Sequence, residues 1–142
     1  MKLNWSSIQA TAFRLRPGDD LKSELAKLAK DSHFRAAVVV SAVGSLSEVT
    51  LRLANRPEST RFQGKHEIVS LIGTLSKDGV HVHMSVANSK GQTVGGHVMK
   101  GSTVFTTAEI VIAELSALVF TRERCQMTGF NELVVKPRGD EE

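Results

Sequence analysis

The chain has 142 residues, of which 41% are hydrophobic and 23% charged, with a formal net charge of +3 and an isoelectric point near 9.2. This is the composition of a globular protein, and the length suits one domain that buries a core without disulfides or a structural metal. Extensive disorder is excluded, and so is a helical membrane span, because no segment approaches the roughly 18 apolar residues that one requires.

The opening MKLNWSSIQATAF lacks the basic and apolar regions of a secretory signal, and the single Cys125 cannot form an internal disulfide. The cytoplasm is therefore the expected compartment. The basic charges are scattered rather than gathered into a tract, so charge alone is a weak argument for nucleic acid. The ending KPRGDEE mixes both signs after a proline and reads as a flexible tail over 136–142.

Residues 8–16, IQATAFRLR, alternate imperfectly with a period of two and end at Pro17-Gly18, which predicts a strand and a turn. Asp19 or Asp20 can cap a helix beginning at Leu21, since a short carboxylate accepts hydrogen bonds from the free amides of a first turn. Leu21, Leu25 and Leu28 share one face of that helix, with Lys22, Lys27 and Lys30 elsewhere, and it ends near Ser32. From Ala36 the texture turns β-branched. AAVVVSAV, a break at Gly44-Ser45, SEVTLRLA and EIVSLIGTL predict successive strands. A turn at Lys77-Asp78-Gly79 leads into VHVHMSVA, and a second at Asn88–Gly91 leads into QTVGGHVM, giving two linked hairpins. AEIVIAELSAL, residues 108–118, mixes helix and strand formers and is read as a strand. FTRERCQMTG and FNELVV complete the chain as a closing hairpin or paired edge segments. The expected class is α+β: a largely antiparallel sheet with one main helix packed on it.

His81 and His83 stand two apart in a predicted strand, so both imidazoles leave the same face and can converge on one ion. His97 follows Gly95-Gly96, glycines that in a strand mark a bulge or a close approach. If the two hairpins share a sheet, their connection can bring His97 beside the pair. Three neutral imidazoles suit a divalent transition metal, zinc first and also nickel, copper or ferrous iron, and leave a coordination position open. The alternative reading is that His81 and His83 decorate a polar sheet face and that His97 is a hydrogen-bonded loop residue.

The same segment, HVHMSVANSKGQTVGGHVMKGSTVFTTAEIVI, resembles the core of the plants-and-prokaryotes conserved (PPC) domain, in which His-x-His, a turn and Gly-Gly-His recur. LRPGDDLKSELAKLAKD, AAVVVSAVGSLSEVTLR, HEIVSLIGTL and TGFNELVV resemble that family in the same order, from about Phe13 to Val135. The resemblance implies one PPC-like domain over 1–142, assembling as a homotrimer, whose histidine pattern matches His81, His83 and His97 as metal ligands. Plant members join this domain to AT-hooks, short basic motifs around Arg-Gly-Arg. Here Pro137-Arg138-Gly139 runs into Asp140 and Glu141, whose charges oppose phosphate contact. The plant motif Gly-Arg-Phe-Glu-Ile is matched by Gly64-Lys65-His66-Glu67-Ile68, with two positions replaced.

Glu67 is a candidate second-layer partner or general base for the histidines, set against a solvated carboxylate at a strand start. His33, at the helix end, is expected to interact with the negative helix terminus. His66 has no ligand signature of its own. Cys125 lies near Arg122 and Arg124, which could lower its pKa, although a plain surface cysteine is the simpler reading. Thr106, Thr107 and Glu109 face either an assembly interface or the site. Three functions stay open: a metal-binding trimer that associates with DNA or regulates; a sensor binding a small anion at the ion; and a metal-dependent enzyme assisted by Glu67.

Overall fold

The computed structural model describes residues 1–139. In chain order the elements are β1 (Ile8–Leu15), α1 (Leu21–Asp31), β2 (Ala37–Arg52), β3 (Ser59–Ser76), β4 (Gly79–Ala87), β5 (Thr93–Val98), β6 (Thr103–Leu115), β7 (Leu118–Arg124) and β8 (Asn131–Pro137). The predicted tail thus starts inside β8, and its last three residues, with Asp140 and Glu141 among them, lie outside the described residues. Strands dominate and α1 is the one helix among the described residues, so the chain is mostly antiparallel β with a minor α component.

Six strands form one sheet in the order β1-β6-β2-β3-β4-β5, and every pairing is antiparallel. β5 also bonds the far end of β2 through Leu51↔Val98 and Arg52↔His97. That contact closes β2, β3, β4 and β5 into a ring, and it brings a residue of the second strand against the glycine-histidine segment of the fifth. β7 and β8 form a separate hairpin. It is fixed to the main sheet by Leu118 and Phe120 against Ala36, and by the Phe120 amide donating to the Arg35 carbonyl at 2.8 Å.

The helix begins at Asp20, whose Oδ1 accepts from the Ser23 amide at 2.9 Å. Its Oδ2 accepts from the Gly101 amide at 2.6 Å, so the same carboxylate ties the helix start to the β5–β6 loop. Asp19 instead accepts from the Arg16 amide. Leu21, Leu25 and Ala29 are the buried stripe, spaced by one turn plus a little, with Leu28 only partly covered. At the other end His33 has φ +54°, its amide donates to the Lys30 carbonyl, and the Phe34 amide reaches back to the Ala29 carbonyl. This is a Schellman cap, with histidine in the left-handed position usually held by glycine. His33 therefore caps through its backbone, and Phe34 packs on the core beyond it.

The turn expected at Gly44-Ser45 does not form; β2 runs unbroken from Ala37 to Arg52. Gly44 is required for proximity. A Cβ there would stand 2.0 Å from the Thr107 carbonyl oxygen of β6. The strand bends through register shifts against β6 at Val39/Ser41, Gly44/Leu46 and Leu46/Glu48, and bulges of this kind let a long strand curl round a core. β3 likewise starts at Ser59, well before the predicted EIVSLIGTL, and shifts register against β4 at Ile68/Ser70. Inside, Leu21 and Leu25 of the helix meet Leu46, Leu51, Leu75, Val82, Val86, Ile110 and Ile112, all fully buried. Each such side chain contributes about 1.5–3 kcal/mol relative to exposure.

Candidate metal centre

β4 alternates strictly. Val82, Met84 and Val86 point into the core at 1%, 2% and 0% exposure, which drives His81 and His83 to the opposite face. β5 is laid beside β4 with His83↔His97 in direct register. The two glycines before His97 allow this strand to lie close: a Cβ on Gly96 would stand 2.8 Å from the Arg52 carbonyl oxygen, and one on Gly95 3.1 Å from that of Met84. Behind the pair, Gly73 of β3 has φ +153°, and a Cβ on it would meet the His81 carbonyl oxygen at 2.1 Å.

The three imidazoles face one another with ring centroids 5.0, 5.1 and 5.5 Å apart. One nitrogen from each ring lies within 4.8 Å of the other two. Nε2 of His81 and Nε2 of His83 are 3.1 Å apart. Two zinc–nitrogen bonds at a tetrahedral angle place their nitrogens roughly 3.3 Å apart, so this pair is already near bite distance. His97 has coordinating capacity to spare. Its Nδ1 is buried with no hydrogen-bond partner among the described residues, and Nε2 has Lys22 Nζ at 3.5 Å. The donor set and its spacing fit a divalent transition metal.

The electrostatics favour the neutral form of His81 and His97, as ligation requires. Burial lowers the pKa of His97 to about 4, reinforced by the charges of Lys22 and Arg52. Burial also lowers His81, with His83 and Arg122 adding to the effect. Lys22 is itself pushed down, first by burial and then by Arg52 and Lys100.

Two clefts flank the cluster. One, of about 350 Å³, is lined by His81, His97, Arg52, Arg122, Phe130 and Glu132 among others. The second, of about 770 Å³, opens on the His83 side and shares Arg52, His97 and Phe130. The fold explains both arginines. Arg52 stands directly across from His97, while Arg122 reaches from β7 to donate to Thr74 Oγ1 at 3.1 Å, and Thr74 stands directly across from His81. Nothing in the spacing of the sequence marks Lys22, Arg52, Arg122, Phe130 or Glu132 as neighbours of the histidines, because β2, α1 and the last hairpin meet them only through long-range contacts.

The structure brings His81, His83 and His97 together and leaves Glu67 apart. Glu67 is exposed on β3 and stands across from Ala87, toward the opposite end of β4 from the histidines. His66 is buried, with its Nδ1 2.8 Å from the Gly64 carbonyl oxygen. Cys125 is free, and its thiol is lowered by hydrogen bonds from the Thr128 and Met127 amides rather than by the neighbouring arginines. Thr106 meets Ser45 Oγ at 2.7 Å, Thr107 Oγ1 accepts from Arg14 at 2.9 Å, and Glu109 is exposed on β6 across from Val43. None of these three lines the histidine clefts.

Residues 4–116 match the model of the Plants and Prokaryotes Conserved (PCC) domain. The chain belongs to this family. Among relatives of this PCC protein, the bifunctional protein GlmU of a Synechococcus strain is 45% identical over 131 residues. That match takes in 92% of this chain but 21% of GlmU, so the chain spans about a fifth of the length of these curated relatives. A solved structure from Salmonella cholerae-suis is 41% identical, with a TM-score of 0.92 over 95% of this chain and 98% of the other. The metal-containing protein AF0104 of Archaeoglobus fulgidus shares the fold at 23% identity, with a TM-score of 0.81 over 94% and 99% of the two chains.

Proposed function

We propose that this PCC protein is a homotrimeric metal-binding protein of the cytoplasm, with zinc held by His81, His83 and His97 and a coordination position left for a ligand. The convergence of the three imidazoles carries the reading, their ligand nitrogens lying within 4.8 Å of one another. The ion would act as a Lewis acid or as an anchor for an anion. The chain's own residues supply the rest: β4 and β5 aim the rings, and Arg52 and Arg122 make the approach electropositive. The trimer is supported by an apolar outer face. Val40, Val43, Val69 and Ile72 are 58%, 57%, 57% and 62% exposed, and the β2–β3 register on either side of them aligns Val40 with Ile72 and Val43 with Val69. Soluble monomers rarely leave such a patch open, and a second copy of the same sheet would cover it.

The positive charge gathers in clefts too small for a duplex, which favours a small anion over DNA as the partner at this site. The test is metal content of untagged protein beside a variant with His81, His83 and His97 all replaced by alanine, both checked for folding by circular dichroism. One ion per chain in the native protein and none in the variant is the expected result. No metal in either after zinc supplementation overturns the reading.

A further inference from the structure

Beside the histidines, the 350 Å³ cleft has a second set of groups that ligation does not use. Arg52 forms no ion pair among the described residues, although it stands across the ladder from His97. Arg122 is oriented by its hydrogen bond to Thr74 and faces the same space from the last hairpin. Two guanidiniums converging on one small cleft present planar forks that match a carboxylate. The rest of the lining differs. Glu132 contributes a carboxylate whose Oε1 accepts from Thr128 at 2.9 Å, while Val80 and the exposed ring of Phe130 supply apolar wall. A carboxylate in the wall disfavours a dianion and rewards a ligand with a hydroxyl to donate.

We infer that this cleft binds a small 2-hydroxy carboxylic acid, with Arg52 and Arg122 holding the carboxylate and Glu132 accepting from the hydroxyl. The inference deepens the metal reading, in which the same ligand would reach the ion's open position, but the arginine contacts do not depend on the ion. An inorganic phosphate lacks the apolar body and brings more charge against Glu132. A neutral amide analogue lacks the anion.

The experiment is isothermal titration calorimetry on untagged, zinc-loaded protein with lactate, propionate, lactamide and inorganic phosphate as probes. Lactate is expected to bind at least about tenfold more tightly than the other three, the size of effect that one charged hydrogen bond produces. Arg52→Lys and Arg122→Lys keep the charge and fold but remove the fork, and each is expected to weaken lactate about tenfold while retaining the metal. Glu132→Leu removes the acceptor and is expected to erase the preference for lactate over propionate. Absence of lactate binding, lactate binding unchanged in both lysine variants, or phosphate binding as tightly as lactate would each overturn the inference. If the native protein holds no metal even after zinc supplementation, the metal reading fails by itself. The same titrations on metal-free protein then decide this one: arginine-dependent lactate binding sustains it, and its absence ends it.

Discussion

Replacing Gly73 by alanine tests the closeness of β3 and β4 behind the histidines. A Cβ at this position would lie 2.1 Å from the His81 carbonyl oxygen and 2.7 Å from both Cα and Cγ1 of Val82. Carbon atoms settle at roughly 3.5–4.0 Å, so β3 must retreat by about an ångström or Val82 must leave its place in the core. Two costs add. The backbone at φ +153° disfavours any L side chain by about 1–3 kcal/mol, and overpacking contributes about another 1–3 kcal/mol. Gly79 separates them, because it has φ +152° and nothing within 4 Å of where a Cβ would stand. Gly79→Ala should therefore lose only the backbone part and Gly73→Ala both, about 2–6 kcal/mol out of the 5–15 kcal/mol typical of a whole domain. Urea unfolding followed by far-ultraviolet circular dichroism measures each. A Gly73→Ala loss no larger than that of Gly79→Ala would mean that the two strands are not packed this tightly, and the placement of His81 would fall with it.

The Asp20 carboxyl is raised by burial, yet hydrogen bonds from the Ser23 and Gly101 amides outweigh this and hold it below the usual carboxylate range. A depressed folded pKa contributes stability above the unfolded value near 4, and that contribution is lost as pH falls through the lower folded value. Asp20→Ala should then cost about 1 kcal/mol at pH 7 and progressively less below pH 4, read from urea midpoints across pH; a cost independent of pH would refute the charge's role. On the apolar outer face, Ile72→Asp is expected to turn a trimer into a monomer by light scattering of the eluting species, without loss of the circular dichroism spectrum. Native protein that already elutes as a monomer would remove the assembly from the proposal.

Much of the architecture was legible because local signals agree with the fold. The alternation of Val80, Val82, Met84 and Val86 against His81, His83 and Ser85 marked a strand and the face its histidines share, and Asn88 with Gly91 marked the turn after it. Asp20 and the leucines beyond it located the helix, though Ala29 rather than Leu28 completes its buried stripe. Gly44 misled because a glycine reads as a turn, whereas its absent side chain here admits a neighbouring strand. The early start of β3 was hidden because STRFQGKH has no clear period and is held by pairing with β2. The same limit applied at the site. The three histidines could be read from a local hairpin, but Arg52 and Arg122 come to them through contacts that no short window contains, and Glu67 stands across from Ala87 rather than beside them.

The β4–β5 hairpin contains all three histidines and a short turn, while the span from Arg52 to His97 is roughly three times that from His83 to His97, an added closure cost of about 1 kcal/mol. The three clustered histidines thus share one local hairpin. The arginine part exists only once β2 has met β5 and the last hairpin has docked. On the proposed function, ion and anion binding would depend on different extents of folding, because the histidines come from one hairpin whereas the arginine pair needs β2 against β5 and the last hairpin docked.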